Sequence, residues 1–119
     1  MAKILVVDDA AFMRLRATKL LVDAGHEVFQ AENGRLALEV YLRERPDCVL
    51  MDITMPEMDG LEALSQIRAN DPHARVAMLT AMGQQSIVLD AIKRGARDFV
   101  VKPFAPDRVL AAVNKLLAA

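Results

Sequence analysis

The chain has 119 residues, 54% hydrophobic and 26% charged, with 15 Lys and Arg against 16 Asp and Glu for a net charge of −1. That length supports one buried core and no second one, and interspersed, nearly balanced charges exclude the basic stripe that a nucleic-acid surface requires. No apolar run approaches the roughly 20 residues that cross a bilayer, and Ile4-Leu5-Val6-Val7 stops at two aspartates with no cleavage site of small residues, so the sequence predicts one cytoplasmic domain over 1–119.

Residues 3–8 read as a buried strand closed by Asp8-Asp9. A helix follows with Phe12, Leu15, Leu20, Leu21 and Val22 expected on its inner face, ending at Gly25, a residue suited to the position just past a helix. Glu27–Ala31 is a second short strand, and Asn33 caps a helix whose Leu36, Ala37, Val40 and Tyr41 fall at helical spacing before Pro46. Cys48-Val49-Leu50-Met51 is an unbroken apolar run, the pattern of a strand covered on both faces of a parallel sheet, and it ends at Asp52. Cys48, the single cysteine, is therefore expected to be a buried free thiol.

Asp59 with Glu62 three residues later reads as a capping box for a helix that turns Leu61, Leu64 and Ile67 inward and stops at Asp71-Pro72. Arg75–Ala81 is a fourth strand, residues 84–94 a helix with Ile87, Val88, Ala91 and Ile92 on one side, and Asp98–Lys102 a fifth strand. Pro106 suits the first turn of a last helix with a core stripe of Val109, Leu110, Val113, Leu116 and Leu117. Five strand-then-helix repeats predict an α/β fold, a parallel sheet with helices on both faces. Right-handed crossovers then put Asp8, Asp9, Asp52, Thr80 and Lys102 on the rim where such sheets bind ligands.

Carboxylates converging within ~5 Å repel by about 3 kcal/mol per pair at an effective dielectric of 20. Lys102 supplies one compensating charge, and a hard divalent cation such as Mg²⁺ is the natural complement to oxygen donors. Its expected ligands are Asp9, Asp52 and a nearby backbone carbonyl, with Asp8 acting partly through water. With the phosphoryl charge neutralised, Asp52 can act as nucleophile and become an acyl phosphate, while Thr80 donates a hydroxyl hydrogen bond to a phosphate oxygen. Thr54 and Met82, two residues after Asp52 and Thr80, flank the approach of an attacking water, and neither is an acid or a base. His26 and His73, near turns, are expected to be solvated and are not read as phosphoacceptors. The crowded acids also predict that removing one charge, at Asp52 or at Asp8, stabilises the metal-free fold.

These residues, Asp8-Asp9, Asp52, Thr80-Ala81 and Lys102-Pro103, resemble the signature of the receiver domain of two-component response regulators, over essentially the whole chain. The stretches from Asp8 to Arg14, Met51 to Gly60 and Ala81 to Gln85 are most similar to its chemotaxis members. The resemblance implies a (βα)5 flavodoxin-like three-layer sandwich with strand order 2-1-3-4-5. It implies phosphorylation of Asp52 by a sensor histidine kinase, Mg²⁺ at Asp8, Asp9, Asp52 and the Thr54 backbone carbonyl, and a cis Lys102-Pro103 bond. It further implies a monomer that signals to a flagellar motor switch protein, is served by a phosphatase, and catalyses only its own phosphorylation and dephosphorylation. The switch would couple Thr80 to Phe99, where chemotaxis members commonly carry a tyrosine, and would reshape the face made by the fourth helix, the fifth strand and the last helix.

Other readings stay open: a stand-alone phosphorelay receiver, or one cut from a larger regulator. A haloacid-dehalogenase-type phosphatase would need a second Asp where Thr54 stands. A flavodoxin-like cofactor protein would need a first loop rich in hydroxyls and glycine, where Asp8-Asp9 stands. An inert structural receiver would be expected to have lost one of the five site residues.

Overall fold

A computed structural model describes residues 2–81 and 85–118. The elements alternate as β1 (Lys3–Val7), α1 (Ala11–Asp23), β2 (Glu27–Ala31), α2 (Gly34–Glu44), β3 (Cys48–Asp52), α3 (Gly60–Asn70), β4 (Val76–Ala81), α4 (Gln85–Lys93), β5 (Asp98–Lys102) and α5 (Pro106–Ala118). All pairings are parallel, in the order β2-β1-β3-β4-β5. None of the described helices is long and apolar enough to cross a membrane.

The two-residue period of the strands divides the core into two layers. Leu5, Val7, Val49, Met51, Val76 and Met78 face α2, α3 and α4, packing with Ala37, Tyr41, Leu64, Ile67 and Ala91. Ile4, Val6, Cys48, Leu50, Ala77 and Leu79 face α1 and α5, packing with Ala17, Leu21, Val109, Val113 and Leu116. Because both faces are covered, β3 is buried along its whole length, Asp52 included. Burial, and then Asp47, pushes the Cys48 thiol up to about 12, leaving it an inert core residue.

The first helix corrects the expected stripe. Phe12, Leu15 and Val22 are exposed, at 73%, 56% and 51%, whereas Ala17 and Leu21 are buried. Met13, Ala17, Leu20 and Leu21 lie at i, i+4, i+7 and i+8 and form the face that meets the sheet, which turns Phe12, Leu15 and Val22 outward. In α4, Ile92 is likewise exposed rather than inward. His26, expected in solvent, is half-buried and accepts the Ala2 N–H at Nδ1 (3.2 Å), while His73 is exposed.

The caps follow the sequence more closely. Asn33 Oδ1 accepts the Leu36 N–H (2.8 Å) and Asp59 Oδ1 the Glu62 N–H (2.9 Å). Only half of the capping box takes the expected form, since the Glu62 carboxylate reaches forward to accept from Gln66. At the start of α3 the Gly60 N–H donates to the Ile53 carbonyl (2.7 Å), and a Cβ there would overlap the Asp52 carbonyl oxygen and lie 2.8 Å from Ile53 Cα. Gly60 thus lets α3 close against the strand end that carries Asp52. Gly60→Ala is expected to cost about 1–3 kcal/mol by overpacking. Urea denaturation checks this, and an unshifted midpoint would contradict it.

Candidate functional site

The carboxyl ends of β1, β3, β4 and β5 converge on one rim. β1 ends one residue earlier than expected, at Val7, so Asp8 lies just past the strand, with its N–H still bonded to the Ala31 carbonyl (3.2 Å). Its side chain is 1% exposed: Oδ1 accepts the Ala10 N–H (2.9 Å) and Oδ2 accepts from Lys102 Nζ (2.7 Å). This is a local turn rather than a helix cap, since α1 begins after Ala10 with no side-chain cap. Asp9, next in the chain, is exposed.

Asp52, the last residue of β3, is 9% exposed, and its Oδ2 lies 3.3 Å from Lys102 Nζ. Lys102, the last residue of β5, therefore bridges two carboxylates, with the shorter contact to Asp8. Among the described residues, Asp8, Asp9 and Asp52 each offer a carboxylate oxygen within 4.8 Å of the other two. Burial pushes the Asp52 carboxyl up to about 6, Lys102 opposes that rise, and Asp8 and then Asp9 add to it. Three carboxylates against one ammonium leave two negative charges unmatched in the cluster, the charge of one divalent cation. Hard oxygen donors in this number fit Mg²⁺, which takes one or two carboxylates and keeps several waters.

Thr80 is 2% exposed in β4, and its hydroxyl donates to the Ala81 carbonyl (3.3 Å). Register places Leu79 opposite Asp52 and Thr80 opposite Val101, which brings the hydroxyl-bearing residue to the same end of the sheet. Thr54 is exposed, two residues past Asp52. Met82 lies outside the described residues. Phe99 stands apart from the acidic cluster, 38% exposed on β5 with its carbonyl accepting from Arg108 Nη2 (2.6 Å). The Lys102-Pro103 bond is cis.

The arrangement brings a buried carboxylate, an ammonium beside it, two further acids and a hydroxyl to one rim, groups that could together handle a phosphoryl group. Reading the sequence missed one participant, Arg14, whose Nη1 donates to the Asp8 carbonyl (2.7 Å). Nothing in its spacing marks it, because its partner is backbone.

Comparison with known proteins places the chain in a family. The family described as the response regulator receiver domain matches residues 4–114. The chain is 59% identical over 116 residues to the chemotaxis protein CheY of Bacillus subtilis, covering 97% of each. It is 38% identical over 115 residues to the sporulation initiation phosphotransferase F of the same organism, covering 97% of this chain and 93% of that protein. Its backbone is similar to that of chemotaxis protein CheY4 of Vibrio cholerae, with a TM-score of 0.93 at 34% identity, covering 98% of this chain and 99% of that one.

Proposed function

Because the chain belongs to the response regulator receiver family, we propose that it is a cytoplasmic chemotaxis receiver that takes a phosphoryl group onto Asp52 from a sensor histidine kinase, with Mg²⁺ as cofactor. The observation that carries this reading is the contact of Lys102 with both Asp8 and Asp52 beside the three converging carboxylates. Asp8, Asp9, Asp52 and the Thr54 backbone carbonyl would hold Mg²⁺, which when bound neutralises phosphoryl oxygens.

The protein's own groups do the rest. An oxygen of ionised Asp52 attacks phosphorus in line, the P–N bond of a phosphohistidine breaks, and the freed imidazole nitrogen takes a proton. The product is an aspartyl phosphate, in which Lys102 pairs with one phosphoryl oxygen and Thr80 donates its hydroxyl to another. Hydrolysis returns carboxylate and inorganic phosphate when water attacks phosphorus, and Thr54 offers that water no general base. The protein on this reading turns over no substrate but its own phosphoryl group.

The output proposed is a phosphorylation-dependent change on α4, β5 and α5, felt by a flagellar motor switch protein, with Thr80 and Phe99 as the moving parts. Likeness to the sporulation initiation phosphotransferase supports a second reading, a stand-alone receiver passing the group along a phosphorelay. Binding of the phosphorylated protein to a motor switch protein favours the first. Phosphoryl transfer to a second histidine-bearing protein favours the other.

The chemistry common to both readings is tested by incubation with acetyl phosphate. The intact protein is expected to gain one phosphoryl mass with Mg²⁺ and none in EDTA. Equal gain in EDTA would overturn the metal dependence.

A further inference from the structure

Asp8 and Asp52 are fixed by Lys102, but Asp9 is exposed, and its placement depends on the backbone that carries it. Resting on the metal-binding role proposed above, we infer that Arg14 is a positioning residue for this site, holding the Asp8-Asp9 peptide so that Asp9 faces its two partners.

Past the end of β1 the Asp8 carbonyl has left the ladder and would be free to rotate with the Asp8-Asp9 peptide plane. Arg14 takes it up: from the first turn of α1, Nη1 donates to that carbonyl at 2.7 Å, while Nε donates to Gln30 Oε1 on β2 at 3.2 Å. The Arg14 N–H in turn donates to the Ala10 carbonyl (3.0 Å), so the start of α1, the loop and the edge strand are joined through one residue. A charge-assisted bond to a carbonyl, with the donor braced on a second element, fixes a peptide plane better than either bond alone. Rotation of that plane would carry the Asp9 Cα, and with it the carboxylate, out of the cluster.

The charge on Arg14 makes the inference testable by sign. If Arg14 were only a cation near an acidic site, removing it would ease repulsion of Mg²⁺ and tighten binding. If it positions Asp9, removing it loosens binding, and outer groups of this kind typically cost about 10-fold or more in metal affinity.

Calorimetric titration of Mg²⁺ into the unphosphorylated protein separates the two. Arg14→Ala is expected to weaken binding about 10-fold. Arg14→Lys keeps the charge but not the two-bond span and should fall between. Gln30→Ala leaves Arg14 and every proposed ligand intact and removes only the brace, so it should weaken binding by a smaller factor with little change in the urea midpoint. Unchanged or tighter binding in Arg14→Ala would overturn the inference while leaving the receiver reading in place. Absence of Mg²⁺ binding in the unsubstituted protein would defeat the metal-site reading itself.

Discussion

Asp52→Asn should unfold at a higher urea concentration than the unsubstituted protein when both are in EDTA above pH 7, by an amount on the order of 2–3 kcal/mol. The Asp52 carboxyl is pushed up from 3.8 to about 6, chiefly by burial, so folding favours its neutral form, which Asn imitates. The folded value lies above the unfolded one, and between about pH 4 and 6 the native state holds a proton that the unfolded chain has lost. Through Asp52 the unsubstituted protein therefore loses stability as pH rises through that window and is level above it. Asp52→Asn should lack that fall. Asp8→Asn should not gain as Asp52→Asn does, although sequence alone predicts the same benefit for both: Asp8 makes the shorter contact with Lys102 and also accepts from Ala10, so neutralising it removes attraction along with repulsion. Equal gains in the two variants would contradict this account, and so would a persisting slope across that pH window in Asp52→Asn of the size that this group should contribute.

The opposite change is expected from Lys102→Met, which leaves Asp8, at 1% side-chain exposure, without the ammonium that pairs with it. Removing one partner of a buried pair typically costs about 3–5 kcal/mol, and since Lys102 is itself 20% exposed a loss of about 2–4 kcal/mol in EDTA is expected. Mg²⁺ stabilises by mass action and should restore more to Lys102→Met than it adds to the unsubstituted protein, because the acids are then uncompensated. Asp52→Asn should gain more stability in the Lys102→Met background than in the unsubstituted protein, since without the ammonium its charge is uncompensated and the groups share one network. Simple additivity of the two changes, or a Lys102→Met midpoint equal to that of the unsubstituted protein, would show that the ion pairs contribute little.

The rim was legible because its charged residues close distinct apolar runs: Asp8 follows Ile4–Val7, Asp52 follows Cys48–Met51 and Lys102 follows Phe99–Val101. That helices cover both faces of the sheet was legible for a related reason, the five strand-then-helix repeats of the chain. Helix α1 was harder, since apolar residues lie on both its sides and a small residue, Ala17, takes a buried place while the larger Phe12 and Leu15 stay outside. Burial there follows the shape of the gap above the sheet, which no residue of the helix states. Sequence also places Lys102 near the acids but does not say which it bonds first, because that depends on a contact across 94 positions. The contacts of Arg14 were not legible for a similar reason: it acts on a backbone carbonyl and on an edge-strand Gln30 that sits 16 residues away.

The central claim is that Asp52 accepts the phosphoryl group, and mapping the adduct tests it most directly. After incubation with acetyl phosphate and Mg²⁺, borohydride reduction of the acyl phosphate followed by peptide mass spectrometry should place the modification on Asp52 and find none in Asp52→Asn. Modification retained in full by Asp52→Asn, or placed on Asp8, Asp9 or a histidine in the unsubstituted protein, would contradict the account.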